Sequence, residues 1–263
     1  MKKNNEYYKN IEQIIIKAGK NALMKWRTFN RQDSMLKGKR DLVTEVDLNT
    51  EKYLIKEIKK KYPNHGFWAE ESGKKNYDNS YIWFIDPIDG TTNFSIKNPL
   101  WSISIGLAYK KEIIFGMVYI PTLNELFFAE KNKGAYLNEK KITLDKRINT
   151  KKIIHTYCHG SGLKAKKQAI KYYTTQKMKY LDCRQLGSAA IECSYVASGR
   201  IDSLVIPGVN AWDVAAGSLI ALEAGACVMD FKGKDWSLKS SEIAICHPKI
   251  KNDIVKTLKK ISS

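Results

Sequence analysis

Two carboxylates lie three positions apart at the end of an apolar run, in the stretch WFIDPIDGTTNF. The apolar run Tyr81–Ile85 predicts a buried strand. Pro87 fixes φ and has no N–H for a strand ladder, so the chain is expected to turn just after Asp86. This turn would direct Asp86 and Asp89 into one space, with the carbonyl oxygen of Ile88 between them.

Gly90, Thr91 and Thr92 follow these carboxylates directly. They offer backbone N–H groups and hydroxyls, which suit an anion. Carboxylates beside an anion site need a cation between them, and Mg²⁺ is a hard ion that prefers oxygen ligands. The same residues also make a favourable turn sequence, with a proline and a glycine in turn positions, so a purely structural role stays open at this point.

The composition is that of a chain with a large core: it has 263 residues, of which 43% are hydrophobic. We expect a single domain over residues 1–263, with an N-terminal part (about 1–150) and a C-terminal part (about 151–263) packed as one unit. No run approaches the roughly 20 apolar residues of a membrane span. The N-terminal segment lacks the long apolar core of a signal peptide, which predicts a cytoplasmic protein without a membrane partner.

The five cysteines are scattered, odd in number and contain no Cys-x-x-Cys pair. This pattern predicts small buried residues in a reducing compartment, rather than a disulfide framework or a zinc site. The four histidines have no ligand spacing either, which argues against zinc.

The formal net charge of +18 would be compatible with a nucleic-acid partner. The lysines, however, are spread along the whole chain, and no arginine-rich patch with interleaved aromatic residues stands out. Solvated lysine faces are therefore favoured over a dedicated nucleic-acid surface. The positive field could also attract a phosphate ester.

Hydrophobic periodicity predicts a chain of helices and strands. The predicted helices are Glu6 to about Phe29, Glu45–Lys61, Leu163–Gln176, Gly187–Ser198, Trp212–Glu223 and Pro248–Ile261. The predicted strands are Tyr81–Ile85, Trp101–Tyr109, Ile113–Tyr119, Glu125–Ala129, Asp202–Ile206, Cys227–Asp230 and Glu242–Cys246, with two more near Ile153 and Tyr180. The order along the chain is first helices, then strands of antiparallel type, then short strands that alternate with helices. This order favours an α/β layered sandwich over a barrel or a doubly wound sheet.

Three further acidic residues could supply ligands from distant parts of the chain. Glu70 follows a short apolar stretch before the Asp86 strand, Asp47 lies at the start of the second helix, and Asp213 opens a later helix. Each has a simpler explanation. Glu70 could be a solvated loop residue, Asp47 could cap its helix with Thr44, and Asp213 could complement a helix dipole.

Taken together and in order, these motifs resemble the inositol monophosphatase-like family of Mg²⁺-dependent, lithium-sensitive phosphatases. The resemblance extends from Lys37 to Gly225, which is most of the chain. The motifs that carry it are Lys37 with Asp41-Leu42-Val43-Thr44 and Asp47, Glu70-Glu71-Ser72, Asp86 to Phe94, Gly187-Ser188-Ala189-Ala190, Val196 to Asp202, and Trp212 to Gly217.

The resemblance implies an α-β-α-β-α sandwich of the inositol monophosphatase and fructose-1,6-bisphosphatase type, commonly a homodimer, with two or three Mg²⁺ ions per chain. It implies that Asp47, Glu70 and Thr91 are the catalytic residues, with Asp47 and Thr91 assisting a metal-bound water. The implied metal ligands are Glu70, Asp86, the backbone oxygen of Ile88, Asp89 and Asp213. The implied substrate-binding residues are Lys37, Ile88, Asp89, Gly90, Thr91 and Asp213.

We therefore expect Mg²⁺-dependent hydrolysis of a small phosphate monoester, such as inositol 1-phosphate or a similar polyol or sugar phosphate. In this hypothesis Glu70 and Asp86 hold the metal that carries the attacking water. The leaving-group metal is held by Asp86, Asp89 and Asp213, so that Asp86 bridges the two ions. Such an arrangement, with ions about 4 Å apart, neutralises the ester and activates water.

The chain departs from the family pattern at two positions. Ala69 replaces a glycine before the Glu-Glu pair, which we expect to be harmless. Ile206 replaces the glutamate that contacts ring hydroxyls in many inositol phosphatases, although Asn210 could take over that contact after a local shift. Histidinol phosphate and fructose 1,6-bisphosphate therefore stay open as substrates. A nucleotide substrate is less favoured, because Asp-Gly-Thr-Thr stands here where phosphoadenosine-type relatives have Asp-Gly-Thr-Lys.

A hypothesis from another class is an RNA- or transcription-associated regulatory binding protein, a second role that some bacterial relatives of the family have. The net charge of +18 makes it physically possible. It ranks below the phosphatase because every metal-ligand residue is present.

Overall fold

The computed structural model describes residues 6–36, 42–146 and 148–262. Within these ranges no helix has both the length and the apolar character needed to cross a membrane. The α-helices are α1 (Glu6–Thr28), α2 (Glu45–Lys61), α3 (Thr91–Ser95), α4 (Leu163–Lys179), α5 (Ala189–Ala197), α6 (Ala211–Glu223) and α7 (Lys251–Ser262), with 3₁₀ turns at Arg31–Asp33 and Pro248–Ile250.

The strands form one large sheet, one smaller sheet and a two-stranded ribbon. They are β1 (Met35–Leu36), β2 (Leu42–Val43), β3 (Gly66–Ala69), β4 (Gly73–Lys75), β5 (Tyr81–Asp89), β6 (Ser102–Tyr109), β7 (Glu112–Ile120), β8 (Glu125–Glu130), β9 (Gly134–Leu137), β10 (Lys140–Ile142), β11 (Ile154–Tyr157), β12 (Asp182–Arg184), β13 (Ser203–Pro207), β14 (Cys227–Met229) and β15 (Glu242–Cys246).

The large sheet has eight strands in the order β10-β9-β8-β7-β6-β5-β3-β4. Its pairs are antiparallel except for β3 and β5, which run parallel. The smaller sheet has five strands in the order β12-β11-β13-β15-β14. In it β11 is parallel to both neighbours, whereas β15 is antiparallel to both of its neighbours.

Helices cover both sheets and fill the space between them, which confirms the predicted α-β-α-β-α sandwich. One apolar cluster joins α1 and α2 to the outer face of the large sheet. A second places α5 and α6 between the two sheets, and a third packs α4 and α7 on the far face of the smaller sheet. On β13 the side chains alternate, since Leu204 and Ile206 face the middle layer while Val205 faces the outer one.

Strand β5 is longer than the sequence predicts. The predicted strand ends at Ile85, with a turn just after Asp86, but the observed strand continues to Asp89. That prediction is wrong because Pro87 lies in an irregularity of the ladder, where its missing N–H group costs no strand hydrogen bond.

The irregularity in β5 is a β-bulge. Asp86 pairs with Ser104 and Asp89 pairs with Ser102, so the two residues between the carboxylates oppose a single residue of β6. In a regular strand, residues three positions apart point to opposite faces. The extra residue of the bulge turns Asp86 and Asp89 toward the same side. The sequence predicts the same arrangement, but from a turn just after Asp86 rather than from a bulge.

Other boundaries differ by a few residues, and several short elements are not predicted. The predicted strand near Tyr180 is confirmed as β12, which begins at Asp182 because Tyr180 terminates α4. Lys110 and Lys111 form the tight hairpin between β6 and β7, with both residues at positive φ. The α-helices and strands without a clear sequence signal are α3, β1, β2, β3, β4, β9 and β10, all of five residues or fewer.

Helix α6 lies very close to the large sheet, because two glycines remove side chains from the contact. A Cβ atom at Gly116 would lie 2.5 Å from the carbonyl oxygen of Ala216, and one at Gly106 would lie 3.0 Å from the Cβ of Ala215. Since α6 begins next to Asp213, this contact sets the distance of that carboxylate from β5.

We predict that Gly116→Ala destabilises the protein by about 1–3 kcal/mol, because the added methyl group forces α6 away from the sheet. Chemical denaturation followed by circular dichroism measures the change. The control is Gly162→Ser at the N-cap of α4, where an added Cβ meets nothing within 4 Å. Equal stability of Gly116→Ala and this control would contradict the packing argument.

Candidate active site

A cleft of about 560 Å³ opens beside the bulged end of β5. All five predicted metal ligands line it, namely Glu70, Asp86, Ile88, Asp89 and Asp213, and so do the predicted substrate-binding residues Gly90 and Thr91. Asp47 is buried behind Thr91. Lys37 lies outside the described residues.

The parallel pairing of β3 with β5 brings Glu70 to Asp86. Ala69 is opposite Ile85, and the N–H of Glu70 donates to the carbonyl of Ile85 at 3.1 Å. The Glu70 carboxyl group lies close enough to Asp86 to raise the pKa of that carboxyl. Glu70 is therefore a half-buried residue of the cleft wall, not a plain solvated loop residue.

A buried glutamate of α2, which is not among the predicted site residues, fixes the loop after Glu70. The Glu51 carboxylate accepts hydrogen bonds from the N–H groups of Glu71 (2.7 Å) and Ser72 (2.9 Å). Its charge is therefore matched by two backbone donors, and the loop that follows Glu70 is anchored to α2.

Asp89 connects the large sheet to the start of α5. Its carboxylate accepts hydrogen bonds from the N–H groups of Ala189 (3.1 Å) and Ala190 (2.8 Å), and from the hydroxyls of Ser188 and Ser102. These donors hold the side chain in one orientation. Ser188 lies in a motif that carries the family resemblance, but its contact with Asp89 spans 99 positions and has no local sequence signal.

Asp213 occupies the third position of α6 and caps that helix. Its carboxylate accepts a hydrogen bond from the N–H of Asn210 at 3.0 Å, and the Asn210 side chain completes a capping box. The simpler explanation of Asp213 as a helix-start residue is thus correct, and the same side chain also lines the cleft.

Asp47 likewise serves two structural partners. It forms a capping box with Thr44 at the start of α2, and its Oδ1 accepts a hydrogen bond from the Thr91 hydroxyl at 3.0 Å. The cap explains its position in α2, and the contact with Thr91 connects it to the cleft. Burial raises the pKa of Asp47 to about 6, although the hydrogen bonds from Thr44 and Thr91 oppose this shift.

The carboxyl groups in the cleft repel one another. Burial, followed by repulsion from Glu70, Asp89 and Asp213, raises the pKa of Asp86 well above its usual range. Burial also raises the pKa of Asp89, against the hydrogen bonds that it accepts. Burial, with repulsion from Asp89 and Glu70, raises the pKa of Asp213 to about 8. Within the described residues, Lys166 is the one lysine or arginine that lines this cleft.

This donor set fits a hard divalent cation by its chemistry. Four carboxyl groups and the Ile88 carbonyl supply only oxygen ligands, and a cation between them would neutralise the repulsion that raises the pKa of Asp86. Among the described residues, no three histidine, cysteine, aspartate or glutamate side chains already surround one point closely enough to bind a metal ion. The carboxyl side chains would therefore have to change position when a cation binds.

The backbone turns sharply beside the carboxylates, where α3 begins. Gly90 precedes α3 in the left-handed region, with φ of 93°. A Cβ atom there would lie 3.1 Å from the carbonyl oxygens of Gly187 and Leu100, so glycine relieves both strain and crowding. The tight approach leaves Thr91 at the start of α3, facing the cleft.

Two buried polar residues hold the opposite wall, and neither is among the predicted site residues. The Asn93 amide donates to the carbonyl of Leu186 at 2.7 Å. Glu192 Oε1 accepts from the N–H groups of Leu186 (2.8 Å) and Gly187 (3.0 Å) and from the thiol of Cys158 (3.2 Å). Burial raises the pKa of Glu192 to about 8. The shape of this wall thus depends on long-range contacts.

A family model for the inositol monophosphatase family matches residues 3–263. The chain belongs to the inositol monophosphatase family. It is therefore a phosphoric monoester hydrolase, of a family that is generally metal-dependent and acts on small phosphate esters.

Individual relatives span nearly the same length. The Nus factor SuhB of Pasteurella multocida is 37% identical over 86% of this chain and 87% of its own. The fructose-1,6-bisphosphatase/inositol-1-monophosphatase of Thermotoga maritima is 33% identical over 95% of this chain and 94% of its own. The crystal structure of the extragenic suppressor protein SuhB from Bartonella henselae has a TM-score of 0.90 at 29% identity, and covers 97% of this chain and 99% of that one.

We predict that Asp89→Asn lowers kcat at least about 100-fold, because an amide removes an anionic ligand from the proposed cation site of this family member. The fold should persist, since the asparagine oxygen can still accept the N–H of Ala190. Phosphate release and thermal melting measure the two effects. The matched control is Asp202→Asn, a carboxylate outside the cleft that accepts the N–H of Ile154. Near-normal turnover of the Asp89 variant would refute its role.

The raised pKa values predict how pH affects the metal-free protein. The folded-state pKa of Asp86, Asp89 and Asp213 lies above the unfolded value of about 4. Between about pH 4 and pH 8 the unfolded state therefore binds fewer protons, and the free energy of unfolding falls as pH rises. Added Mg²⁺ should consequently raise Tm more at pH 8 than at pH 5.

Thermal melts in EDTA and in excess MgCl₂, with NaCl at matched ionic strength as the control, measure this difference. Asp213→Asn should reduce the difference between the Tm shifts at pH 8 and pH 5, because it removes one carboxyl group with a raised pKa. An equal Mg²⁺ shift at both pH values would show that the cleft carboxyls do not hold the cation.

Proposed function

We propose that the protein hydrolyses a small phosphate monoester, inositol 1-phosphate or a similar polyol or sugar phosphate, in a Mg²⁺-dependent reaction. One observation carries the proposal: four carboxyl groups and the Ile88 carbonyl face a single cleft beside the start of α3. We further infer that the chain works as a single unit, because α6 contacts strands of both sheets.

The residues that would hold Mg²⁺ are Glu70, Asp86, Ile88, Asp89 and Asp213. When bound, Mg²⁺ would neutralise the phosphate charge and favour deprotonation of a water molecule. Asp89 and Asp213 are already held in place by backbone N–H groups, which limits the reorganisation that binding requires. Two or three ions remain the number that the family resemblance implies.

Thr91 and Asp47 would orient the attacking water. Thr91 donates a hydrogen bond to Asp47, so the lone pairs of the Thr91 oxygen are available to accept a hydrogen bond from water in the cleft. With a pKa of about 6, Asp47 is mostly ionised at neutral pH and accepts this hydrogen bond. Gly90 and Thr91 would hold the phosphate through backbone N–H groups, and Lys37 remains a proposed contact.

The residues on the leaving-group side of the cleft restrict the identity of the ester less than the residues on the phosphate side do. Ile206 lines this side and is 3% exposed. An alkyl group cannot accept a hydrogen bond from a ring hydroxyl, whereas Asn210 lines the same cleft and can. Histidinol phosphate and fructose 1,6-bisphosphate stay as alternatives on the same site, the latter in keeping with the name of the Thermotoga relative.

We predict Mg²⁺-dependent phosphate release from at least one member of an ester panel, and none in EDTA. The panel contains inositol 1-phosphate, fructose 1,6-bisphosphate, histidinol phosphate, glycerol 2-phosphate and phosphoadenosine phosphate. Ile206→Glu should raise kcat/KM for inositol 1-phosphate relative to the other esters by about tenfold, because a carboxylate restores an acceptor for a ring hydroxyl.

Ile206→Leu is the matched control, since it changes the shape of the side chain without adding an acceptor. If the wild-type protein is folded but releases no phosphate from any ester of the panel, the proposed hydrolysis is wrong. If Ile206→Glu and Ile206→Leu change the ester preference equally, the assignment of position 206 to the leaving group is wrong.

A regulatory role in transcription is the second candidate, favoured by the similarity to the Nus factor SuhB and by the net charge of +18. It predicts RNA binding that persists at about 0.15 M salt and prefers one RNA structure, measured by fluorescence anisotropy. Binding by dispersed lysines would instead fall steeply as salt increases. The homodimer and the cytoplasmic location stay predictions.

A further inference from the structure

Two of the five cysteines lie directly opposite each other in the smaller sheet. Strands β14 and β15 pair antiparallel, and Cys227 is the register partner of Cys246. Both are free thiols. Directly opposed residues of an antiparallel pair have their side chains on the same face. Their Cα atoms are about 4.5 or 5.5 Å apart, and both values lie within the range of about 4.4–6.8 Å that a disulfide needs.

The two thiols differ in accessibility and in environment. Cys227 is half-buried and lines a surface cavity of about 600 Å³ together with Trp236 and Lys251, whereas Cys246 is buried beneath it. Contact with the Cys246 thiol, followed by the positive charge of Lys251, lowers the pKa of Cys227 to about 6. The same contact raises the pKa of Cys246.

The groups that affect the pKa of Cys227 belong to several segments of the chain. Lys251 is the first residue of α7, and His247 follows β15 directly. Asp235 opposes them, with a smaller effect on the pKa of Cys227. Cys227 therefore combines thiolate character, an open cavity and a second thiol within reach, which are the features of a reactive cysteine.

The other three cysteines share none of these features. Cys158, Cys183 and Cys193 are buried, and burial raises the pKa of each. Cys183 has His155 as its register partner, and Cys158 donates to Glu192. The expectation that all five cysteines are small buried residues thus fails for Cys227.

We propose that Cys227 and Cys246 form a reversible dithiol–disulfide site, in which a hydroperoxide oxidises Cys227 and Cys246 resolves the product. The Cys227 thiolate attacks the peroxide, so that an S–O bond forms, the O–O bond breaks and the leaving oxygen takes a proton. The Cys246 sulfur then attacks Cys227, so that an S–S bond forms and water leaves. In total two thiols lose two electrons and two protons, and hydrogen peroxide becomes two water molecules.

This site is separate from the hydrolytic cleft, so its failure would leave the proposed function untouched. None of the residues that line the cleft lines the cavity of Cys227. Oxidation would attach β14, an edge strand of the smaller sheet, covalently to β15. A dithiol reductant would restore the two thiols.

The test treats the full-length reduced protein with hydrogen peroxide, blocks the remaining thiols and maps tryptic peptides by mass spectrometry. Cys227 and Cys246 fall on different peptides, because Lys232 and Lys239 lie between them. We expect a peptide pair joined through these two cysteines, lighter by two hydrogens and cleaved by dithiothreitol. Before oxidation, iodoacetamide should alkylate Cys227 at pH 7 about tenfold faster than Cys183.

Variants separate the two steps. Cys246→Ser should leave a sulfenic acid on Cys227 that dimedone traps, and Cys227→Ser should leave Cys246 unmodified by peroxide. Cys183→Ser is the matched control and should form the disulfide as the wild type does. The proposal is overturned if no joined peptide forms in the wild-type protein, if Cys227 pairs with another cysteine, or if Cys227 reacts no faster than Cys183.

Discussion

The mutual repulsion of buried carboxylates is the constraint on which the rest of the structure depends. Glu70, Asp86, Asp89 and Asp213 come from three separate elements and face one cleft, where Lys166 is the one lysine or arginine among the described lining residues. Such a cluster is costly unless protons or cations neutralise it. The raised pKa values of Asp86, Asp89 and Asp213 express this cost.

Helix starts stabilise three of the carboxylates in and behind the cleft. Asp47 caps α2, Asp213 caps α6, and Asp89 accepts the first N–H groups of α5. The positive end of a helix favours a carboxylate, and the N–H groups that lack partners there fix its orientation. The same hydrogen bonds therefore cap the helices and position the carboxylates of the site. For this reason a structural role of these residues does not exclude a role in the cleft.

The sequence predicts the long elements and the members of the site better than the short elements and the walls. Helix α2 has the predicted bounds, and the aspartates of the cleft converge as expected. Pro87 predicts a turn where β5 has a bulge, because proline forbids a ladder hydrogen bond in either case. Asn93 and Glu192 are absent from the predicted site, since each acts on a loop through contacts that local periodicity does not encode.

The sequence alone determined the chemistry of this protein: which side chains are carboxylates, where glycine permits a left-handed turn, and which positions alternate with a helical or strand period. Those properties belong to single residues and their neighbours. Only the tertiary structure decided that Ser188 meets Asp89, that Gly116 lets α6 approach the sheet, and that Cys227 lies opposite Cys246. Such contacts follow from sheet register and layer packing, which depend on the free energy of the whole core rather than on any local segment.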